Sequence, residues 1–204
     1  MSHAGVAVFV IGLTGGIGTG KTEVAHVLRE LGAVVIDSDK AAHLSYEPGT
    51  EAHKVIVETF GTEVVSDSGT INREVLASIV FSDEAKRSAL ESIVWPVTKQ
   101  WVIDRLKYEE NRGSQAVVIE VPKLYEAGWD GLFDVVWTVE SPSEMVYKRV
   151  FARSNMGKSE LRERRSSQMN RIDRENRADL VIENNKTIKD LRNHVSSLWD
   201  TVPT

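Results

Sequence analysis

The chain has 204 residues, 41% hydrophobic and 27% charged, with a formal net charge of −5 and no cysteine. This gives one large domain room for small insertions, and it excludes disulfides, thiolate metal sites, a cysteine nucleophile and general nucleic-acid binding. No apolar run reaches the roughly 20 residues of a membrane helix, and the first lacks the basic leader and cleavage site of a signal peptide, so the expectation is a cytoplasmic protein without membrane association.

Residues 1–5 read as a short frayed extension, and Val6, Ala7, Val8, Phe9, Val10 and Ile11 as a buried parallel strand. The next stretch, Gly12-Leu13-Thr14-Gly15-Gly16-Ile17-Gly18-Thr19-Gly20-Lys21-Thr22, contains G-x-x-x-x-G-K-[ST]. Residues 23–31 predict an amphipathic helix with Val24, Val27, Leu28 and Leu31 on one face. Strand, glycine loop and helix together suit phosphate. Glycines let backbone N–H groups point inward, and the helix N-terminus adds partial positive charge. The candidate nucleotide-binding residues are Gly15, Gly16, Ile17, Gly18, Thr19, Gly20, Lys21, Thr22 and Glu23. Lys21 reaches terminal phosphates, and the Thr22 hydroxyl is the candidate Mg²⁺ ligand.

Gly32 supplies a helix stop, and residues 33–36 predict a second strand ending in Asp37-Ser38-Asp39. Parallel sheets bind ligands beyond the carboxyl ends of their strands, so both carboxylates are expected near the phosphate loop. They suit a general base and a metal-linked group, or one of them caps the following helix. A break at 46–50, a helix at 51–60 and a turn at 66–69 follow. Asn72 caps a helix carrying Val75, Leu76, Ile79 and Val80. A longer helix spans about 83–111, interrupted or kinked at Trp95-Pro96. Residues 40–112 thus read as a helical insertion between core strands, a natural place to hold a second substrate. Its apolar positions also read as ordinary core.

Residues 116–121 predict the third strand, followed by Pro122-Lys123-Leu124-Tyr125-Glu126. Glu120 and Glu126 are candidates for organising Mg²⁺ or water, or plain surface acids. Residues 134–139 predict a fourth strand, and Ser141-Pro142-Ser143-Glu144 a capping box with proline at the first helical position. Arg149 and Arg153 are four apart on one face of that helix, which breaks at Met156-Gly157. A helix resumes over 160–171, with Arg164 and Gln168 four apart. Residues 179–182 predict a fifth strand closed by Glu183-Asn184-Asn185, and 187–199 a final helix. The segment 148–177 carries a net +6, and the rest of the chain −11. That asymmetry points to a local anionic ligand or to a solvated face held by its own salt bridges.

The ordered motifs resemble the dephospho-CoA kinase family of P-loop nucleotide kinases, along essentially the whole chain. Residues 14–22 look like that family's phosphate loop, and Asp37-Ser38-Asp39 like its Asp-x-Asp segment, whose second acid is taken as catalytic base. Residues 122–126 resemble its Pro-Leu-Leu-x-Glu. Gln168 followed by residues 178–184 resembles its Gln…Ala-Asp-x-x-Ile-x-Asn ending. Lys123 stands where the family has leucine, Trp95 where it has histidine before proline, and Arg174 where lysine is common.

The resemblance implies an α/β P-loop kinase, a five-stranded parallel sheet flanked by helices. The core would comprise about 1–39, 113–147 and 178–204, with an acceptor-binding helical subdomain at about 40–112 and a small lid region at about 148–177. It implies a phosphotransferase acting on an alcohol group, moving the γ-phosphate of ATP with Mg²⁺ to the ribose 3′-hydroxyl of dephospho-CoA, the last step of coenzyme A biosynthesis. Asp39 would accept the hydroxyl proton, with Asp37 as second candidate or metal partner. Lys21 would neutralise the transferred group, Arg149 and Arg153 would close over the phosphates, and Asn184 would border the adenine. The rival readings are a kinase for another acceptor, such as a nucleoside monophosphate, and a nucleotide-dependent switch without phosphotransfer. Nothing in the sequence gives an oligomeric state.

Overall fold

Apolar runs alternating with amphipathic helices fold into a five-stranded, all-parallel sheet of order β2-β3-β1-β4-β5. The computed structural model describes residues 8–81 and 83–203. The extension expected at 1–5, and Val6 and Ala7 of the first expected strand, lie outside the described residues. The chain divides into two compact units, one of Met1–Asp37 with Tyr108–Thr204 and one of Ser38–Lys107.

In the first unit the central strand β1 is Phe9–Gly15, later than the apolar run suggested. It continues into the glycine motif because Gly12 and Gly15 still pair with both neighbours or one of them. Gly12 is required there, since a Cβ would lie 2.7 Å from the Phe133 ring and 2.9 Å from Leu124. On one side of β1 run β3 (Ala116–Glu120) and then β2 (Val34–Asp37). On the other run β4 (Val135–Glu140) and then β5 (Leu180–Glu183). Ile11, Leu13, Val118, Trp137, Val139 and Ile182 of the strands share a buried cluster with Val24, Val27 and Leu28 of α1 (Lys21–Glu30). Leu191 and Val195 of α9 (Ile188–Trp199) complete it. Each such side chain contributes about 1.5–3 kcal/mol of hydrophobic stabilisation, so the sheet is a rigid base for its carboxyl-end loops. Gly32 at φ 99 supplies the expected left-handed stop after α1. Thr187 and Asp190 form a capping box at the start of α9.

The second unit is helical: α2 (Ser38–Ser45), α3 (Glu51–Phe60), α4 (Arg73–Phe81) and most of α5 (Glu84–Asn111). Thr50 caps α3 by accepting from the His53 N–H at 3.1 Å, and Asn72 caps α4 by accepting from Glu74 and Val75 N–H at 3.2 Å. Ile56, Phe60, Val64, Ile71, Leu76 and Val94 form its core. The helix α5 is not interrupted at Pro96, contrary to one reading of the sequence. The proline removes a single N–H from a helix of 28 residues, and the remaining ladder carries it through.

Three short helices bridge β4 and β5: α6 (Ser143–Ser154), α7 (Lys158–Ser166) and α8 (Arg171–Arg177). Two expectations fail here. No side chain caps α6, because the Ser141 hydroxyl donates instead to the Asn184 carbonyl at 2.7 Å. The helix expected over 160–171 ends at Ser166, and Asn170 starts α8 by accepting from the Asp173 N–H at 3.0 Å. Gln168 therefore lies in a link rather than on a helix face with Arg164. Among the described residues no helix is long and apolar enough to cross a membrane.

Candidate nucleotide-binding site

The glycine motif leaves β1 and enters α1 through three left-handed glycines, Gly15 at φ 143, Gly18 at φ 75 and Gly20 at φ 107. Packing demands them as much as the backbone does. A Cβ on Gly15 would overlap the Val139 carbonyl oxygen, one on Gly18 would lie 2.5 Å from Val150, and one on Gly20 would overlap the Asn184 amide nitrogen. Gly15→Ala is expected to cost more than about 2 kcal/mol, since a backbone carbonyl of the central sheet cannot yield. Gly113→Ala, at φ 76 with open space around it, should cost only the left-handed penalty of about 1–2 kcal/mol. Urea denaturation of both variants checks this, and equal losses would remove the packing argument.

Inside the turn, Lys21 is 8% exposed. Its Nζ donates to the Gly15 carbonyl at 2.7 Å and the Gly16 carbonyl at 3.2 Å. The Thr19 hydroxyl also donates to Gly16, at 2.9 Å. The loop's carbonyls are thus gathered on one side and its ammonium is fixed among them. The Gly20 carbonyl accepts the first α1 bonds from Glu23 and Val24 at 3.1 Å each. Glu23 itself accepts from Arg192 of α9 at 3.4 Å, a pairing that ties the helix to its neighbour.

Two oxygen-bearing side chains meet at the sheet's carboxyl edge beside the loop, and a third stands in register with one of them. The exposed Thr22 hydroxyl donates to Glu120 at 3.3 Å. Glu120 ends β3, and its partner across β2 is Asp37. Residues in register on parallel strands face the same side, so both carboxylates share one face. A hydroxyl with two carboxylates is a hard-oxygen set of the size Mg²⁺ uses when phosphates and water supply its other ligands. Asp39 follows in the first turn of α2, in the second unit, and is exposed. Its charge raises the Tyr46 phenol, whose upward shift comes first from burial and is opposed by Arg73.

Across the loop, Asn184 follows β5 with its side chain buried. Its Nδ2 donates to the Thr19 carbonyl at 2.8 Å. Arg149 of α6 donates to the same carbonyl at 3.3 Å, to Ser141 Oγ at 3.0 Å, and to the carbonyl and side-chain oxygens of Asn184 at 3.1 Å each. All of those acceptors are neutral, so this half-buried guanidinium keeps its full positive charge beside the loop, with burial drawing its pKa down. Arg153, four residues on, is exposed near the end of α6. The shared helical face expected for the two does not bring them to one place: Arg149 reaches the loop and Arg153 faces solvent.

Much of the basic segment is answered by acids. Lys148 pairs with Glu144 at 2.9 Å, Arg164 with Glu160 at 2.9 Å, and Arg177 with Asp130 at 2.8 Å, while Arg171 pairs with both Glu175 and Glu183 at 2.5 Å. Such exposed pairs are worth about 0–1 kcal/mol each. Three residues given no role from sequence prove to touch the loop or its support. Gln168 accepts the Ile17 N–H at 2.9 Å, and Arg174, buried with Glu140, packs against Gly16. Glu140 ends β4, so the carboxyl-end rule that singled out Asp37 and Glu120 would have reached it too.

Residues 9–190 match the family model described as dephospho-CoA kinase. A Symbiobacterium thermophilum protein named dephospho-CoA kinase is 40% identical over 190 residues, 93% of this chain and 80% of that protein. A crystal structure of a Thermus thermophilus protein superposes with TM-score 0.81 at 32% identity, covering 97% of this chain and 99% of the other. The dephospho-CoA kinase of Campylobacter jejuni, 21% identical, shares the fold with TM-score 0.72 over 95% of this chain and 96% of its own. A phosphate loop on an all-parallel sheet of this order, within a match that spans nearly the whole chain, places the protein in the dephospho-CoA kinase family.

Proposed function

We propose that the protein transfers the γ-phosphoryl group of ATP to the ribose 3′-hydroxyl of dephospho-CoA, releasing CoA and ADP, the last step of coenzyme A biosynthesis. The observation that carries this is the glycine turn with Lys21 fixed among its carbonyls, in a chain that belongs to this family. Phosphoryl transfer asks a protein mainly for position and charge. The backbone N–H groups of residues 16–22 and the α1 N-terminus hold the phosphates. The Lys21 ammonium moves to the β- and γ-oxygens, where negative charge shifts during transfer. Arg149, whose partners are neutral oxygens, adds a second cation to the nucleotide side, and Arg153 meets the phosphates only if α6 moves. Asn184 borders the nucleotide through its hold on Thr19.

Asp39 takes the proton from the attacking hydroxyl as its oxygen bonds to the γ-phosphorus and the bond to the β-bridging oxygen breaks. Thr22, Glu120 and Asp37 are the residues that would hold Mg²⁺, which when bound neutralises phosphate charge. Purified protein given ATP and a panel of acceptors tests the reading, with ADP release and product mass as readouts. Dephospho-CoA should gain one phosphate on its 3′ position. Turnover of a nucleoside monophosphate with none of dephospho-CoA would overturn the acceptor, and no transfer to any acceptor would overturn the kinase.

A further inference from the structure

Resting on the kinase reading above, we infer that the buried Glu140–Arg174 pair is a positioning unit that sets the height and curl of the phosphate loop. The carboxylate at the end of β4 and the guanidinium of α8 meet in a fork. Arg174 Nε donates to Glu140 Oε1 at 2.6 Å and Nη2 to Oε2 at 3.1 Å. Their side chains are 6% and 2% exposed. The Thr138 hydroxyl donates a further bond to Oε1 at 3.0 Å. A buried ion pair of this kind is a poor source of net stability, because desolvation offsets its attraction. Two connections to the phosphate loop give it a different use.

The first connection is direct. A Cβ built on Gly16 would stand 3.2 Å from Arg174 Nη2, so the Gly16 backbone rests against the guanidinium. Gly16 is also the residue whose carbonyl takes both Lys21 and Thr19. The second connection runs through the link between α7 and α8. Arg174 Nη1 donates to the Met169 carbonyl at 2.5 Å, and the Met169 N–H donates to Glu126 at 2.6 Å. Met169 is therefore held by both of its backbone groups. Its neighbour Gln168 extends a carboxamide oxygen to the Ile17 N–H at 2.9 Å. One guanidinium thus backs Gly16 and, through a pinned link, steers the N–H of the next residue. A misplacement of about 1 Å in such a loop costs on the order of 10²-fold in rate.

Three variants separate this from a purely structural pair. Arg174→Met removes charge and fork, Arg174→Lys restores charge without the fork, and Gln168→Leu removes only the acceptor for Ile17 from a half-buried position. Affinity is read by calorimetry with a non-hydrolysable ATP analogue and, separately, with dephospho-CoA. Kinetics are read as kcat and KM for each substrate. The expected ATP-analogue Kd rises about 10-fold or more in Arg174→Met and by a smaller factor in Arg174→Lys and Gln168→Leu, about 3- to 10-fold. Affinity for dephospho-CoA stays within about twofold, and kcat falls in the same order. Folded variants that bind the analogue like wild type, with only the melting temperature lowered, would overturn the inference. Should Arg174→Met not fold, the other two decide it by the same measure. A wild type that binds no ATP analogue overturns the nucleotide reading and this inference together, whereas variants matching a binding wild type overturn this inference alone.

Discussion

Lys21→Met is expected to lower kcat by about 10³-fold or more while the protein stays folded. Methionine fills nearly the same space, so the change removes one charge and its hydrogen bonds. The bonds lost, to the Gly15 and Gly16 carbonyls, are worth about 1 kcal/mol each, which the core described above absorbs. The charge lost is the one that follows the transferring group. In a water-excluded site, a cation aimed at developing charge supplies far more than a neutral hydrogen bond does. Circular dichroism, a urea midpoint and steady-state turnover on the same preparation check this. Near-normal turnover from a folded Lys21→Met protein would end the role assigned to the loop.

Asp39→Asn is expected to reduce kcat by about 10²-fold or more and to leave ATP affinity within about twofold. Asparagine keeps the shape of the carboxylate and its fit in the first turn of α2 but cannot accept the proton. Asp37→Asn is the matched comparison. Asp37 ends β2 in register with Glu120, so its loss should show first as a raised Mg²⁺ requirement. A Mg²⁺ titration of both variants distinguishes base from metal partner. A large loss in Asp37→Asn with none in Asp39→Asn would reverse the assignment of the pair.

What the sequence revealed and what it concealed follow one physical division. Local rules carried far. The apolar runs located five strands, Asn72 marked a helix start, and the glycine-lysine spacing located the phosphate loop. Each of those signals is confined to a few neighbouring residues. The failures lie where a side chain is claimed by a distant partner. Ser141 looks like a helix cap but serves Asn184, 43 positions away. Gln168 looks like a helix-face residue but serves Ile17, 151 positions away. Glu140 and Arg174 are 34 apart, and nothing at that spacing announces a pair. Pro96 differs in kind, since the hydrogen-bond ladder of a 28-residue helix outweighs one missing donor in α5.

The strand order also sets a timetable for biosynthesis. Phe9 pairs with Ala116 and Ile11 with Val135, while the Thr19 carbonyl waits for Asn184. At about 5–20 residues per second, roughly 10 to 35 s pass between synthesis of Phe9 and of Asn184. During that interval β1, one of the most apolar stretches of the nascent chain, has neither of its sheet neighbours for most of the time. The helices of residues 38–107 close their own core from local contacts and can form meanwhile. The nucleotide site is therefore among the last parts of the protein to be completed, and ATP can reward only chains that have already finished the sheet.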